Sequence, residues 1–448
     1  MLKQYIHNLM IKKYYGSQTE KAIKNFPFSF RKTPKEFIYA IAEIKKDAAA
    51  AHFKAGELDR ARQNAIAKAC DEILSGKLDG QFVLPAFQGG AGTSNHMNVN
   101  EVVAARAMEI LHKPSKETLV HPNDHVNMSH STNDVMPSAL KITALKLTNK
   151  LLASLQILAA SLQKKAKEFE KIPKLGRTHM QDAVPITLGD EFKAYAEYIK
   201  RGKLRIEQAT QNLLELNLGG SAVGNSVNAS PKYISLLYSE LKKVTKLPFK
   251  PAANLMSQAS SNTDLVSLSQ SLTALCVDLS KIANDLRLLS SGPRGGFGEI
   301  ILPELQAGSS MMPGKVNPVL PEAMNQLYFL VSGNNLTIEH AAAGAQLEVS
   351  VMLPVVTDRL VESLKLMDEL SAQFAVKCVA GIRANKRKIK EHLEQSTAYA
   401  SFLSPRLGYD TVASAVKEVV QTGKTLREVV LSRKLLTPKE FDKIVKSK

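Results

Sequence analysis

The sequence predicts an all-α, mainly helical fold built around a bundle of long helices. Three observations carry this. Apolar residues recur at three- and four-residue steps through most of the chain from about residue 138 onward, the spacing that puts them on one stripe of a helix. Several such segments are about twice the mean helix length of roughly 11–12 residues, as in helices packed along a bundle axis. Between them lie short polar connections rich in Gly, Ser, Thr and Asn.

Taken in order, the first long helix covers 138 to 169. Its stripe is Leu145, Leu152, Leu155, Leu158, Leu162 and Phe169, with Lys and Gln between. Similar periodicity covers about 187 to 217, 232 to 244, 258 to 290, 320 to 341 and 355 to 377. The connections are QGGAGTSNHMN (88 to 98), HPNDHVNMSHSTND (121 to 134), GRTHMQD (176 to 182), GGSAVGN (219 to 225) and AGSSMMPGKVNP (307 to 318). Ordinary turn and cap chemistry explains each Gly, Asn or Ser singly. It does not explain several clusters of Thr, Ser, His and Asn on one scaffold, which is where a rigid fold carries reactive groups. After about 386 the helices shorten, bases accumulate and a small separate unit is expected.

A chain of 448 residues with 44% hydrophobic content buries a sizeable core. No apolar run reaches the length of a membrane-spanning helix. Cys70, Cys276 and Cys378 are odd in number, far apart and without CxxC spacing. They predict buried small apolar side chains rather than disulfides or a zinc site. The net charge of +17 raises nucleic acid as a partner, but its distribution argues otherwise. Residues 1–36 carry eight bases against two acids and residues 381–448 fifteen against seven, which leaves 36 bases and 33 acids between. The excess sits on the two ends and reads as solvated surface. Trp is absent, and no aromatic-rich basic RNA-binding motif accompanies the charge. Neither membrane nor nucleic acid is expected as a partner.

The segment from Gly308 to Pro318 is chemically the most informative. Gly314-Lys315 resembles a phosphate-binding loop, but the spacer from Gly308 is five residues rather than four, and Val316 stands where Ser or Thr is required. What remains is a flexible Gly/Ser/Met loop with an ammonium, Lys315, and an amide, Asn317, two residues apart. That pair suits a carboxylate.

GSSMMPGKVNP (308 to 318) resembles the signature loop of the fumarase/aspartase superfamily. GAGTS ending at Ser94, NVNEV (98 to 102), HPNDHVN (121 to 127), STND (131 to 134), GRTHMQDAVP (176 to 185) and SGPRGGFGEI (291 to 300) extend the resemblance in the family's order. It implies three domains: an N-terminal one over 1–127, a central helical bundle over 128–386 that forms the core of a homotetramer, and a small C-terminal one over 387–448. It also implies active sites assembled from three subunits, no metal and no organic cofactor. The implied reaction is anti elimination from a C4 dicarboxylate.

By position, the resemblance makes Ser309 the general base that removes the Cβ proton. His179 is expected to pair with Glu322. Thr93, Ser131, Thr132, Asn133, Thr178, Ser310, Lys315 and Asn317 are implied as substrate contacts. Singly, His179 would read as a structural histidine, Glu322 as a first-turn helix acid and Ser309 as a turn residue. The chemistry suits the set. A proton α to a carboxylate is weakly acidic, so elimination passes through a doubly charged aci-carboxylate that needs dense, preorganised donors. Serine is a poor base unless its alkoxide is stabilised, which backbone N–H groups of a Gly-rich loop supply once the loop closes and excludes water.

Ser131-Thr132-Asn133, LPELQAGSS (302 to 310), NPVLPEAMNQ (317 to 326), AQLEVSVMLPV (345 to 355) and REVVLSRKLLT (427 to 437) resemble the ammonia-eliminating branch that acts on L-aspartate. His121 and GGSAVG (219 to 224) resemble the branch that hydrates fumarate, where His121 falls at a secondary anion site or simply caps a turn. Departures are His130 for the usual Gln, His96 for the usual Asn, and Ser350 and Leu353 for the usual Asn and Glu. They leave open a catalytically silent relative. The expected location is cytoplasmic; the thirteen basic, apolar residues that open the chain leave a mitochondrial targeting stub as the alternative.

Overall fold

The computed structural model describes residues 12–28, 31–112 and 119–446; residues 1–11 of the basic opening stretch lie outside them. The chain is mainly helical, with only two-stranded sheets among the described residues. It divides into two compact units, one of residues 1–151, 204–274 and 329–367, the other of 152–203, 275–328 and 368–448.

In the first unit, α1 (Ser17–Asn25), α2 (Lys35–Ala55), α3 (Arg60–Leu74) and α4 (Thr93–Ile110) precede the bundle. α2 ends at Gly56, whose φ of +84° is the left-handed C-cap that glycine adopts without strain. It packs on α3 and on α7 (Pro231–Thr245), and α3 packs on α4. Glu101 of α4 accepts hydrogen bonds from the backbone N–H groups of Gly16 (2.8 Å), Gln18 (2.9 Å) and Thr19 (3.2 Å), so a buried carboxylate serves the orphan donors at the start of α1.

The long helices expected from periodicity are present: α5 (Thr132–Glu168), α6 (Leu188–Thr210), α9 (Thr263–Leu289), α10 (Val319–Ala343) and α11 (Leu353–Gln373). Leu145, Leu155, Leu158, Leu162 and Phe169 are buried as the stripe requires. Leu152 is only half-buried and Leu151 takes its place inside. The segment expected as one helix from 258 breaks into α8 (Leu255–Ser260) and α9, because the extended Ser261 and the cap at Asn262 intervene. The three cysteines are buried and free, and burial pushes each thiol up to about 12.

In the second unit, β1 (Pro173–Thr178) and β2 (Gln181–Thr187) form an antiparallel hairpin where the sequence suggested a polar connection. Its register slips at Gly176, where a Cβ would lie 2.7 Å from the Val184 carbonyl oxygen; glycine admits that close approach. Beyond α11, five short helices run from α12 (Lys386–Gln395) to α16 (Pro438–Lys446). Leu403, Val412, Val419, Val429, Val430 and Phe441 form a small core among them. Among the described residues, no helix is long and apolar enough to cross a membrane.

Candidate active site

In the first unit the expected residues gather at two helix starts. Thr93 opens α4 and is exposed. It follows Gly92, whose φ is +91° and whose Cβ would lie 2.7 Å from the Met136 methyl group. The helix at 93 begins five residues before the polar connection was expected to end. Ser131, Thr132 and Asn133 stand at the start of α5, where the positive end of the helix dipole favours an anion. The Asn133 N–H donates to Ser131 Oγ (3.2 Å), and the Asn133 amide donates to the Ala222 carbonyl (2.8 Å). Thr132 and Asn133 line a small depression with Ala91, Val349 and Ser350. Ser350 is buried and hydrogen-bonded to the Asn262 amide.

A buried polar assembly holds this helix start. Asp134 is fully buried and accepts the backbone N–H groups of Ser131 (2.9 Å), Gly219 (3.1 Å) and Ser221 (3.2 Å). Burial dominates and raises its carboxyl to about 7, against the pull of Ser131, Lys45 and the other two donors. Lys45, on α2, is equally buried; loss of solvent lowers its ammonium to about 7 while Asp134 opposes the shift. Its Nζ donates to Asn127 Oδ1 (2.7 Å) and lies 3.2 Å from His130 Nδ1. His130 Nε2 is 2.9 Å from the Tyr233 hydroxyl, and Tyr233 stacks on His52 at 3.9 Å. Burial, then the nearby Lys45, keeps His130 neutral. Since Lys45 donates to Nδ1, the His130 proton sits on Nε2. His121 Nδ1 accepts the N–H groups of Asn123 (3.3 Å) and Asp124 (3.2 Å), capping the single turn at Pro122–Val126.

In the second unit, Thr178 and His179 are exposed at the hairpin tip. His179 (φ 53°) and Met180 (φ 64°) form a two-residue turn with both central residues left-handed, a conformation normally left to Asn and Gly. The hairpin is tied down by Glu299, which is 0% exposed. Arg177 donates to Glu299 Oε1 at 2.7 Å, His392 Nδ1 lies 2.9 Å from the same oxygen, and Lys174 Nζ is 3.0 Å from Oε2. Burial pushes the Glu299 carboxyl up, but Arg177, Lys174 and His392 together outweigh it and hold it below the usual range.

The loop before α10 carries the remaining residues. Ser309 Oγ accepts the backbone N–H groups of Met311 and Met312, both at 3.1 Å. The Asn317 amide donates to the Gly308 carbonyl (2.7 Å), closing the loop's base. A Cβ on Gly308 would lie 2.0 Å from the Lys315 carbonyl oxygen, so no larger residue fits there. Ser310, Met311 and Lys315 are exposed, and Lys315 makes no ion pair among the described residues. Glu322 lies in the first turn of α10, its N–H donating to the Pro318 carbonyl (2.9 Å). Within the single chain no ion pair joins it to His179 among the described residues. No cluster of three or more His, Cys, Asp or Glu arranged to hold a metal occurs among them either.

Residues 9–333 match the family model described as lyase, and residues 400–448 match that of the fumarase C C-terminus. The chain belongs to the lyase family. It is 45% identical over 434 residues to an aspartate ammonia-lyase of Bacillus subtilis (strain 168), covering 96% of this chain and 91% of the relative. It is 42% identical over 434 residues to a class II fumarate hydratase of Halalkalibacterium halodurans, covering 97% and 94%. A crystal structure of fumarate lyase:delta crystallin from Brucella melitensis bound to cobalt superposes with a TM-score of 0.93 at 42% identity, over 97% of this chain and 95% of that one. The fold is thus the mainly helical one of the fumarase/aspartase superfamily, and the protein is a lyase.

All the expected site residues of this lyase, from Thr93 to Glu322, fall inside the family-matched stretch. Sequence reading assigned no role to Lys45, Asp134, Arg177 or Glu299, which hold the segments that carry those residues. Asp134, Arg177 and Glu299 sit inside quoted motifs, and for the first two an acid or base directly beside a candidate donor was the available signal. Lys45 carries none, since its partners are more than eighty positions away.

Proposed function

We propose that this lyase catalyses the reversible anti elimination of ammonia from L-aspartate to give fumarate, with Ser309 as the general base. The observation that carries the reading is the pair of N–H groups from Met311 and Met312 on Ser309 Oγ. Such donors cap a turn when the oxygen is a hydroxyl, and they stabilise it far more when it is an alkoxide, because hydrogen bonds to ions are roughly twice as strong. Ser309 then takes the Cβ proton, and the electron pair left on carbon spreads into the adjacent carboxylate. Lys315, Asn317 and Ser310 on the loop, with Thr93, Ser131, Thr132, Asn133 and Thr178, hold the doubly negative aci-carboxylate that results. As the C–N bond breaks, the amino group, carried as ammonium, leaves with the bonding pair as ammonia. His179, paired with Glu322, completes the site.

The separate placement of these segments on the chain supports a homotetramer in which three chains contribute to each site, so that His179 and Glu322 meet across chains. The tetramer works in the cytoplasm on a small dicarboxylate, without metal or organic cofactor. Aspartate is favoured by the Ser131-Thr132-Asn133 and LPELQAGSS segments and by the 45% identity to an aspartate ammonia-lyase. A class II fumarate hydratase is the second reading, supported by relatives of that name at 42%.

Purified protein given L-aspartate or L-malate, with no added cofactor, discriminates the two. Fumarate formed from aspartate with release of ammonia, abolished by Ser309→Ala, is the expected result. Turnover of malate alone would replace the first reading by the second. Equal, negligible turnover in both proteins would overturn both.

A further inference from the structure

His96 is a buried histidine beside the candidate site to which no role has been given. It lies on α4, one turn after Thr93, is 2% exposed, and its Nδ1 is 3.1 Å from Thr132 Oγ1. Its Nε2 is buried with no hydrogen-bond partner. Burial first, and the charge of Lys45 second, hold the ring neutral. A neutral imidazole carries one N–H and one bare nitrogen. A proton on Nε2 would be an orphaned buried donor, which proteins avoid more strictly than an under-used acceptor. The ring proton therefore belongs on Nδ1, where Thr132 Oγ1 accepts it.

This settles the role of the threonine hydroxyl. With one lone pair taken by His96, Thr132 keeps its own proton for another acceptor. Thr132 is also the first residue of α5, and the carbonyl four residues back, that of Met128, already lies 3.1 Å from His52 Nε2. Because Met128 precedes the helix, the back-bond that threonine often makes to the carbonyl four residues earlier is not set by helix geometry here.

We propose that His96 is a positioning residue: by donating Nδ1–H to Thr132 Oγ1, it turns the threonine hydroxyl outward as a dedicated donor to a substrate carboxylate. The inference rests on the reading above that Thr132 contacts the dicarboxylate. A hydroxyl that is free to rotate offers a lone pair to the carboxylate part of the time. One whose rotation is fixed by a hydrogen bond on one lone pair is biased toward offering its proton, which favours anion binding.

The test is steady-state kinetics with L-aspartate and L-malate on His96→Leu, His96→Asn, His96→Gln, Thr132→Val and the double variant His96→Leu/Thr132→Val. Far-UV circular dichroism and melting curves monitor folding. The asparagine amide nitrogen occupies the place of imidazole Nδ1, whereas the glutamine amide reaches toward Nε2, so asparagine restores the donor and glutamine does not. A contact made in both ground and transition states changes KM more than kcat. His96→Leu, His96→Gln and Thr132→Val should each raise KM by about tenfold, the scale of one hydrogen bond to a charged group. His96→Asn should stay within about threefold of the parent, and His96→Leu should add nothing in the Thr132→Val background.

If His96→Leu does not fold, the contrast between asparagine and glutamine decides alone. Equal impairment by asparagine and glutamine, or full additivity of the leucine and valine changes, overturns the role of His96 while leaving Thr132 as a substrate contact. An unchanged KM in Thr132→Val removes Thr132 from the site, and the inference falls with it.

Discussion

Replacing Asp134 by alanine tests how the start of α5 is held. Its carboxylate gathers three backbone donors, at 2.9 Å from Ser131, 3.1 Å from Gly219 and 3.2 Å from Ser221. Gly219 and Ser221 are buried, while Ser131 is half-buried. Alanine leaves two N–H groups without water or partner, at about 1–3 kcal/mol each, and one that solvent reaches. It also leaves Lys45 buried with no counter-charge. Because burial has already brought that ammonium down to about 7, Lys45 sheds its proton rather than remain charged, which caps the added cost. The expected loss is about 3–5 kcal/mol, the range found when one partner of a buried pair is removed. Asp134→Asn should lose nearly as much, since an amide offers one acceptor oxygen and points an NH2 at backbone donors. Urea unfolding at one fixed protein concentration measures this, because the proposed subunit assembly would make apparent stability concentration-dependent. KM for the dicarboxylate should rise too, as Ser131 to Asn133 lose their anchor. A loss under about 1 kcal/mol with unchanged KM would refute the reasoning.

Three further outcomes follow from single positions. Asp47 is fully buried and neither carboxylate oxygen has a partner; burial, then the nearby Glu240, raises its carboxyl well above the usual range. The folded state therefore holds a proton that the unfolded chain releases, so stability is full below the ordinary aspartate pKa and is lost as pH rises toward the folded value. Asp47→Asn should stabilise by about 1–3 kcal/mol at pH ~8 and by little at pH ~4, read from melting curves at the two pH values. Met180→Gly should stabilise by about 1 kcal/mol, because its φ of 64° strains any residue with a Cβ; a lower urea midpoint would contradict this. Gly308→Ala should cut kcat by at least about a hundredfold while moving the melting temperature little: the new Cβ would displace the Lys315 carbonyl and open the turn that aims Ser309. An active alanine variant would show that the loop's geometry is not limiting.

The long helices are legible in the sequence because each buries one stripe, and a stripe writes itself as three- and four-residue spacing. Leu155, Leu158 and Leu162 are an example. The β1–β2 hairpin was not legible. Its turn uses His179 and Met180 in place of Asn and Gly, so the strongest local hairpin signal is missing, and its polar residues read as a connection. The loop around Ser309 was legible through its unusual residue order, and the Met311 and Met312 donors follow from that order once Gly308 permits the tight fold. The support beneath Ser131 to Asn133 was not. Lys45, Asn127, His130 and Asp134 are polar residues whose meaning comes from burial against one another, and Lys45 lies more than eighty positions from Asn127 and His130. A buried polar group has no periodicity to betray it. His96 and His130 stood out only as departures from the family pattern, and their contacts with Thr132 and Lys45 gave those departures a physical content.

The proposed mechanism requires segments from different chains to converge on one reactive centre. Ser309→Ala and the double variant Thr132→Val/Asn133→Ala should each be inactive alone. Unfolded together and refolded as mixed oligomers, they should regain a substantial fraction of the parent activity, because some sites then draw an intact Ser309 from one chain and an intact Thr132 and Asn133 from another. Mixed oligomers that stay as inactive as either variant, while size-exclusion shows that they have assembled, would contradict it.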